Sequence, residues 1–224
     1  MYSENHGQSD FSRRNEILTG DERYIMSNKS HYELNKKKLL TKARTLFWRK
    51  GYAETSMRDI AKAYGCKPAN IYNYFPAKED MLYEILYGAV KVLIEAIKHF
   101  EEDDSINPLE QLRLFIKEHV KIALSVIRSG KWLTDAGLAE MKPAKREKII
   151  ELRDTYDRIL GKIIQKNIDR GEFPQTDVKL AVFMISSMIL RTRIWYSPRG
   201  RLSQEEIGEF IFKFALNGLR GESV

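Results

Sequence analysis

"TSMRDIAKAYGCKPANIYNYFPAKEDML", residues 55–82, reads as two very short helices separated by a glycine and followed by the start of a long one. Thr55 or Ser56 can cap the first, with Asp59 placed three residues after Ser56 as a capping-box partner. Ile60, Ala61 and Tyr64 form its apolar face, and Gly65 turns the chain. Pro68 suits the first turn of the second helix, and Pro76 stops it after about two turns. A stub from Pro68 to Phe75 cannot hold a helix alone in water. It therefore needs a clamp from neighbouring helices, and the flanking sequence offers one on each side. Residues 34–50 place Leu39, Leu40, Ala43, Leu46 and Phe47 on one helical face, ended by Gly51. Residues 77–100 carry a longer stripe from Met81 to Ile97.

Two short helices joined through a glycine and clamped in this way form a helix-turn-helix, whose second helix enters the major groove of DNA. Charge agrees with that use. The chain of 224 residues has a formal net charge of +7, yet Leu34 to Lys78 alone holds eleven Lys and Arg against two acids. The basic excess thus resides in the helix-turn-helix, and the remainder is slightly acidic. Lys67, Ala69, Asn70 and Asn73 are expected near base edges, where lysine and asparagine can read guanine and adenine. Ile71 and Phe75 are assigned to packing, and the hydroxyls of Tyr72 and Tyr74 to phosphates. Lys78 is expected to add a phosphate contact at the start of the next helix. Arg58 can serve either base or phosphate. The competing reading, in which "YNYF" fills a core and the lysines form a solvated face, leaves the concentration of charge unexplained.

The rest of the chain is also helical in pattern, with no alternation that reads as strand and no repeat of solenoid period. Helices are expected from Asn107–Pro108 to Ser129–Gly130, from Pro143 to Gly171, from Asp177 to Trp195, and after a Ser203/Glu206 capping box, with a short segment near 131–141. Residues 1–33 are polar and aperiodic and read as a mobile tail. The expected organisation is all-α: a tail over 1–33, a helix-turn-helix domain over 34–80, and an effector-binding and dimerisation domain over 81–224, with about nine helices in all. The helix 177–195 is apolar on nearly every side and the last one carries Phe210, Phe212 and Phe214, so these two are expected to pair with a second copy.

One cysteine, Cys66, excludes an internal disulfide and agrees with a reducing cytoplasm. The longest apolar run, "LAVFMISSMIL" at 180–190, is too short to span a bilayer. No Gly-rich phosphate loop, nucleophile elbow or His-Glu-x-x-His motif points to an enzyme, and the four histidines are scattered. No catalytic residue, metal site or cofactor is assigned.

The stretch 55–82 closely resembles the DNA-binding motif of the TetR/AcrR family of bacterial transcriptional regulators. The resemblance rests on Thr55, Ser56, Ile60, Ala61, Gly65, Tyr72, Tyr74, Phe75, Lys78 and Glu79, preceded by "LFWRKGY" at 46–52. It extends over residues 35–95 and implies DNA contacts from Thr55, Ser56, Arg58, Lys67, Pro68, Ala69, Asn70, Tyr72, Asn73, Tyr74 and Lys78. Where the family often has a serine before the recognition helix and a glycine inside it, this chain has Lys67 and Ala69. The resemblance further implies a homodimer on a palindromic operator, commonly a repressor, released by a small molecule. A shorter likeness at "RTRIWYSPRGRLS", 191–203, is to members that answer to acyl-CoA thioesters. It points to Arg191 and Trp195, on one helix face, as the mouth of a site whose apolar lining Phe115, Trp132, Tyr156, Met184 and Met188 are expected to supply; the alternative is that Arg191 pairs with an acid across the dimer and Trp195 only packs. The alternatives are a constitutive or differently induced regulator, with a hydrophobic drug-like effector or none, and more remotely a helical enzyme.

Overall fold

The computed structural model describes residues 20–125, 138, 139 and 141–221. Among these residues there are eight α-helices, one 3-10 turn and no strand. In chain order the helices are α1 (Gly20–Lys50), α2 (Met57–Tyr64), α3 (Pro68–Tyr72), α4 (Lys78–Ile97), α5 (Pro108–Ser125), α6 (Pro143–Asp169), α7 (Val178–Trp195) and α8 (Gln204–Arg220), with the 3-10 turn at Lys98–Glu101 after α4. None of the described helices is long and apolar enough to cross a membrane.

Local signals set most of the boundaries. Ser56 caps α2 through a full capping box with Asp59, and Ser203 does the same for α8 with Glu206. The Asp177 side chain accepts from the Leu180 N–H at the start of α7, and Asn107 accepts from the Leu109 N–H at the start of α5. Gly65 ends α2 at φ +86°, a left-handed conformation, with its N–H on the Ala61 carbonyl. A Cβ there would meet nothing within 4 Å, so the backbone angle, not space, calls for glycine.

Two apolar clusters organise these helices. One joins Leu39, Ala43 and Phe47 of α1, Ile60 and Ala61 of α2, Ile71, Phe75, and Met81, Leu82 and Leu86 of α4. It also takes in Leu138, Met141 and Ile149 at and before the beginning of α6. The other joins the C-terminal part of α4 to α5, the remainder of α6, α7 and α8. α6 is therefore a member of both, contributing Ile149 to the first and Tyr156, Ile159, Leu160, Ile163 and Ile164 to the second.

The first helix begins at Gly20, not near residue 34, so residues 20–33 are not the tail the pattern suggested. Periodicity was silent there, and Tyr32, the large apolar residue described in the extension, is 40% exposed. Residues 1–19 of the expected tail, and the segment that includes Trp132, lie outside the described residues.

Candidate nucleic-acid interface and effector cavity

α3 stands on Ile71 and Phe75, both essentially inaccessible to solvent. The chain past Tyr72 keeps helical bonding for one more step, with the Tyr74 and Phe75 N–H groups both on the Ile71 carbonyl at 2.9 Å. This single buried face leaves Lys67, Pro68, Ala69, Asn70, Tyr72 and Asn73 exposed together, beside Ser56, Arg58 and Lys62 of the preceding helix. Lys67 occupies the N-cap position of α3, is exposed and makes no side-chain cap bond. The arrangement presents a short helix end with cationic and amide donors, which suits base edges and the phosphates on either side.

Three expected contacts are placed differently. Thr55 is buried, its hydroxyl donating to the Gly51 carbonyl at 2.6 Å, where it closes the end of α1. Lys78 is half-buried. Its ammonium lies 4.2 Å from the Tyr52 ring centroid and donates to the carbonyls of Tyr52 at 2.7 Å and Ala53 at 3.3 Å. It ties α4 to the turn before α2, and two of its three donors are spent inside the protein. Tyr74 is stacked by Tyr32 of α1, with ring centroids 4.8 Å apart, while the Tyr32 hydroxyl reaches the Asn73 carbonyl at 3.5 Å. The extension of α1 is thus a third brace for the recognition helix. Local spacing carried no sign of these roles of Lys78 and Tyr74, because each depends on a partner twenty or more residues away.

Elsewhere, a cavity of about 390 Å³ lies among α4, α5, α6 and α7. Its apolar wall includes Leu86, Val90 and Leu93 of α4, Ile122 of α5, Ile149 of α6, and Phe183 and Leu190 of α7. Phe183 and Leu190 are both partly exposed, so the cavity reaches the surface along α7. Polar groups converge on it: His119, Arg153, Tyr156, Asp157, Ser186 and Arg193. His119 Nδ1 is 2.9 Å from the Tyr156 hydroxyl, and both residues are buried. Burial, with a smaller push from the Arg193 charge, lowers the His119 pKa to about 3, so the ring is neutral. Burial likewise raises the Tyr156 pKa and lowers that of Arg193 to about 10, which leaves the guanidinium charged at neutral pH.

Residues 39–85 match the profile of bacterial regulatory proteins of the tetR family, and residues 105–219 match that of the tetracyclin repressor-like C-terminal domain. The chain belongs to the TetR family. Its sequence is 29% identical over 189 residues to the HTH-type transcriptional repressor KstR2 of Mycobacterium tuberculosis H37Rv, spanning 83% of this chain and 93% of that one. It is 30% identical over 176 residues to the fatty acid metabolism regulator protein of Bacillus subtilis 168, spanning 77% and 89%. The crystal structure of the TetR family regulator PfmR from Thermus thermophilus superposes with a TM-score of 0.72 at 32% identity, over 81% of this chain and 98% of that one. This TetR-family protein is a DNA-binding transcriptional regulator with an all-helical fold, and its relatives are regulators, not enzymes.

Within the TetR-family frame, the expected effector residues separate. Tyr156 lines the cavity, and Phe115 lies under it, fully buried with ring centroids 5.4 Å apart. Met188 packs half-buried against the C-terminal cluster. Arg191, Met184 and Trp195 share the outer face of α7, exposed, and do not line the cavity. Arg193, two residues on from Arg191 and so some 200° around the helix, does. Sequence reasoning missed Arg153, Asp157 and His119, and noted Arg193 only as a guanidinium near Arg191 and Trp195. One signal was available for His119, which stands at helical spacing within the buried set Leu112, Phe115, Ile116, Val120 and Ala123 of α5.

Proposed function

We propose that the protein is a repressor that binds a palindromic operator as a homodimer in the cytoplasm and is released by a small-molecule effector, an acyl-CoA thioester. The observation that carries the effector reading is the cavity, in which an apolar wall meets Arg153 and Arg193. An acyl or ring body fits the first feature and an anionic group the second. The names of the relatives support the same direction, one being called a repressor and another a fatty acid metabolism regulator.

A division into a DNA-binding domain over 34–80 and an effector domain over 81–224 fits this use, with α6 as the connection. The same helix supplies Arg153, Tyr156 and Asp157 to the cavity. Its first turn clasps α4, the Lys142 N–H donating to Glu79 Oε1 at 2.8 Å and Lys145 pairing with Asp80 and Glu79. Lys78, adjacent to that clasp, grips the turn before α2. An effector that shifts α6 would thereby shift the recognition helix and lower operator affinity by linkage. The dimer reading is supported by the apolar side chains that α7 and α8 expose, Leu180, Met184, Ile194, Trp195, Phe210 and Phe214. A second copy would bring two recognition helices to half-sites about one helical turn apart.

The test is a mobility-shift titration on operator DNA with a panel of acyl-CoA thioesters and free acids, alongside sedimentation of the protein alone. Release by thioesters and a dimeric mass are expected. A repressor insensitive to every thioester would refute the effector, and a footprint with one asymmetric contact would refute the palindromic dimer.

A further inference from the structure

The cavity holds two polar side chains whose mutual bond does not use all of their donors. His119 Nδ1 and the Tyr156 hydroxyl share one hydrogen bond of 2.9 Å, with the rings at 70° and centroids 5.1 Å apart. The imidazole is neutral and therefore carries one N–H, and the phenol carries one O–H. Either tyrosine donates to Nδ1, leaving Nε2–H over, or Nδ1–H donates to the tyrosine oxygen, leaving the phenol O–H over. In both tautomers two donors minus one shared bond leave one donor unspent. Among the described residues neither side chain has a second hydrogen-bond partner, and both line the cavity. Ser186, the other hydroxyl there, donates to the Phe183 carbonyl at 3.1 Å.

A buried donor without an acceptor is costly, whereas the same donor met by a ligand oxygen is a source of selectivity. We infer that the His119–Tyr156 pair selects effectors bearing an acceptor oxygen, a carbonyl above all, within an otherwise apolar body. This rests on the cavity being the effector site and goes beyond it, because an apolar cavity with arginines would accept any amphiphilic anion. The pair rejects a purely aliphatic body of the same shape.

Two matched probe pairs test this: dodecanoyl-CoA with the thioether dodecyl-CoA, by calorimetry, and 2-undecanone with undecane, by displacement of a fluorescent apolar dye. The carbonyl member of at least one pair is expected to bind about tenfold tighter than its partner, the worth of one hydrogen bond. The double variant His119→Leu/Tyr156→Phe, which replaces both partners by apolar groups, should bind operator normally and show a ratio near one. Each single variant still leaves one donor free, the Tyr156 O–H or a His119 N–H, so only the double variant is expected to abolish the preference. If the ketone outbinds the alkane while neither CoA compound binds, the thioester reading fails and the donor assignment stands. Equal affinities within both pairs, a wild-type ratio retained in the double variant, or no binding of any probe would overturn the inference.

Discussion

The helix-turn-helix and the candidate effector cavity are built on opposite plans. In the first, one short stretch supplies its own caps, its own turn and its own buried face, and a few outside braces hold it. In the second, four helices spread over a hundred residues each supply side chains, and no local pattern names the site. The difference appears even between neighbouring cations. Lys67 and Lys78 both belong to the basic segment, yet one is exposed at the start of α3 and the other is bound to the carbonyls of Tyr52 and Ala53. Arg191 and Arg193 are two residues apart, yet one faces outward and the other lines the cavity. Charge alone does not say what a cation does; the side of the helix it occupies does.

The largest effect should come from the recognition core. Phe75→Ala empties a fully buried aromatic site under α3 and should cost about 3–5 kcal/mol in urea unfolding, with operator binding lost. Phe210→Ala, on the exposed face of α8, should leave the unfolding of the monomer within about 0.5 kcal/mol and appear instead in the dimer dissociation constant.

The cavity should respond to mild acid through His119. His119 has a folded pKa of about 3 against an ordinary value of 6.5. Above pH 6.5 both states are neutral and the residue adds no pH dependence. Below it the unfolded chain takes up a proton that the folded protein refuses. Stability therefore falls as pH drops from 6.5 toward 3, at about 1.4 kcal/mol per pH unit from this residue. His119→Leu should flatten the unfolding free energy measured between pH 6.5 and 5 by that slope.

A third comparison sets the two arginines of α7 against each other. Arg193→Ala should weaken binding of an anionic effector at least about tenfold by calorimetry, as loss of a charge-assisted contact in a half-buried wall, while Arg191→Ala should change it less than about twofold. Reversal of that order would return the site to the outer face of α7.

The smallest effects separate the two lysines. Lys67→Ala should lower the slope of log affinity against log salt by about one unit with unfolding unchanged. Lys78→Ala should cost about 1 kcal/mol in unfolding, because two carbonyls lose their donor, with a smaller change in the salt slope.

Much of the architecture was legible because it rests on contacts within one or two turns. The Ser56–Asp59 and Ser203–Glu206 boxes, the left-handed Gly65, the Asp177 cap and the apolar stripe of α4 each declare themselves within a few residues. The exposed set at Lys67, Asn70, Tyr72 and Asn73 follows from the same arithmetic once Ile71 and Phe75 are given to the core. The extension of α1 to Gly20 was illegible for the complementary reason: it carries no apolar stripe in sequence, and Tyr32 finds Tyr74 only when the chain has folded back on itself.

By itself, then, the sequence determined the helices, most of their ends, the position of the recognition motif and the family, all of which depend on neighbours in the chain or on a run of characteristic residues. Tertiary structure alone decided that Thr55 and Lys78 serve the fold and that Tyr74 is braced from α1. It also brought His119 of α5 against Tyr156 of α6 beside Arg193 of α7. Hydrogen bonds and burial between distant residues depend on how helices cross, and a crossing is set by the packing of whole faces, which no local spacing records.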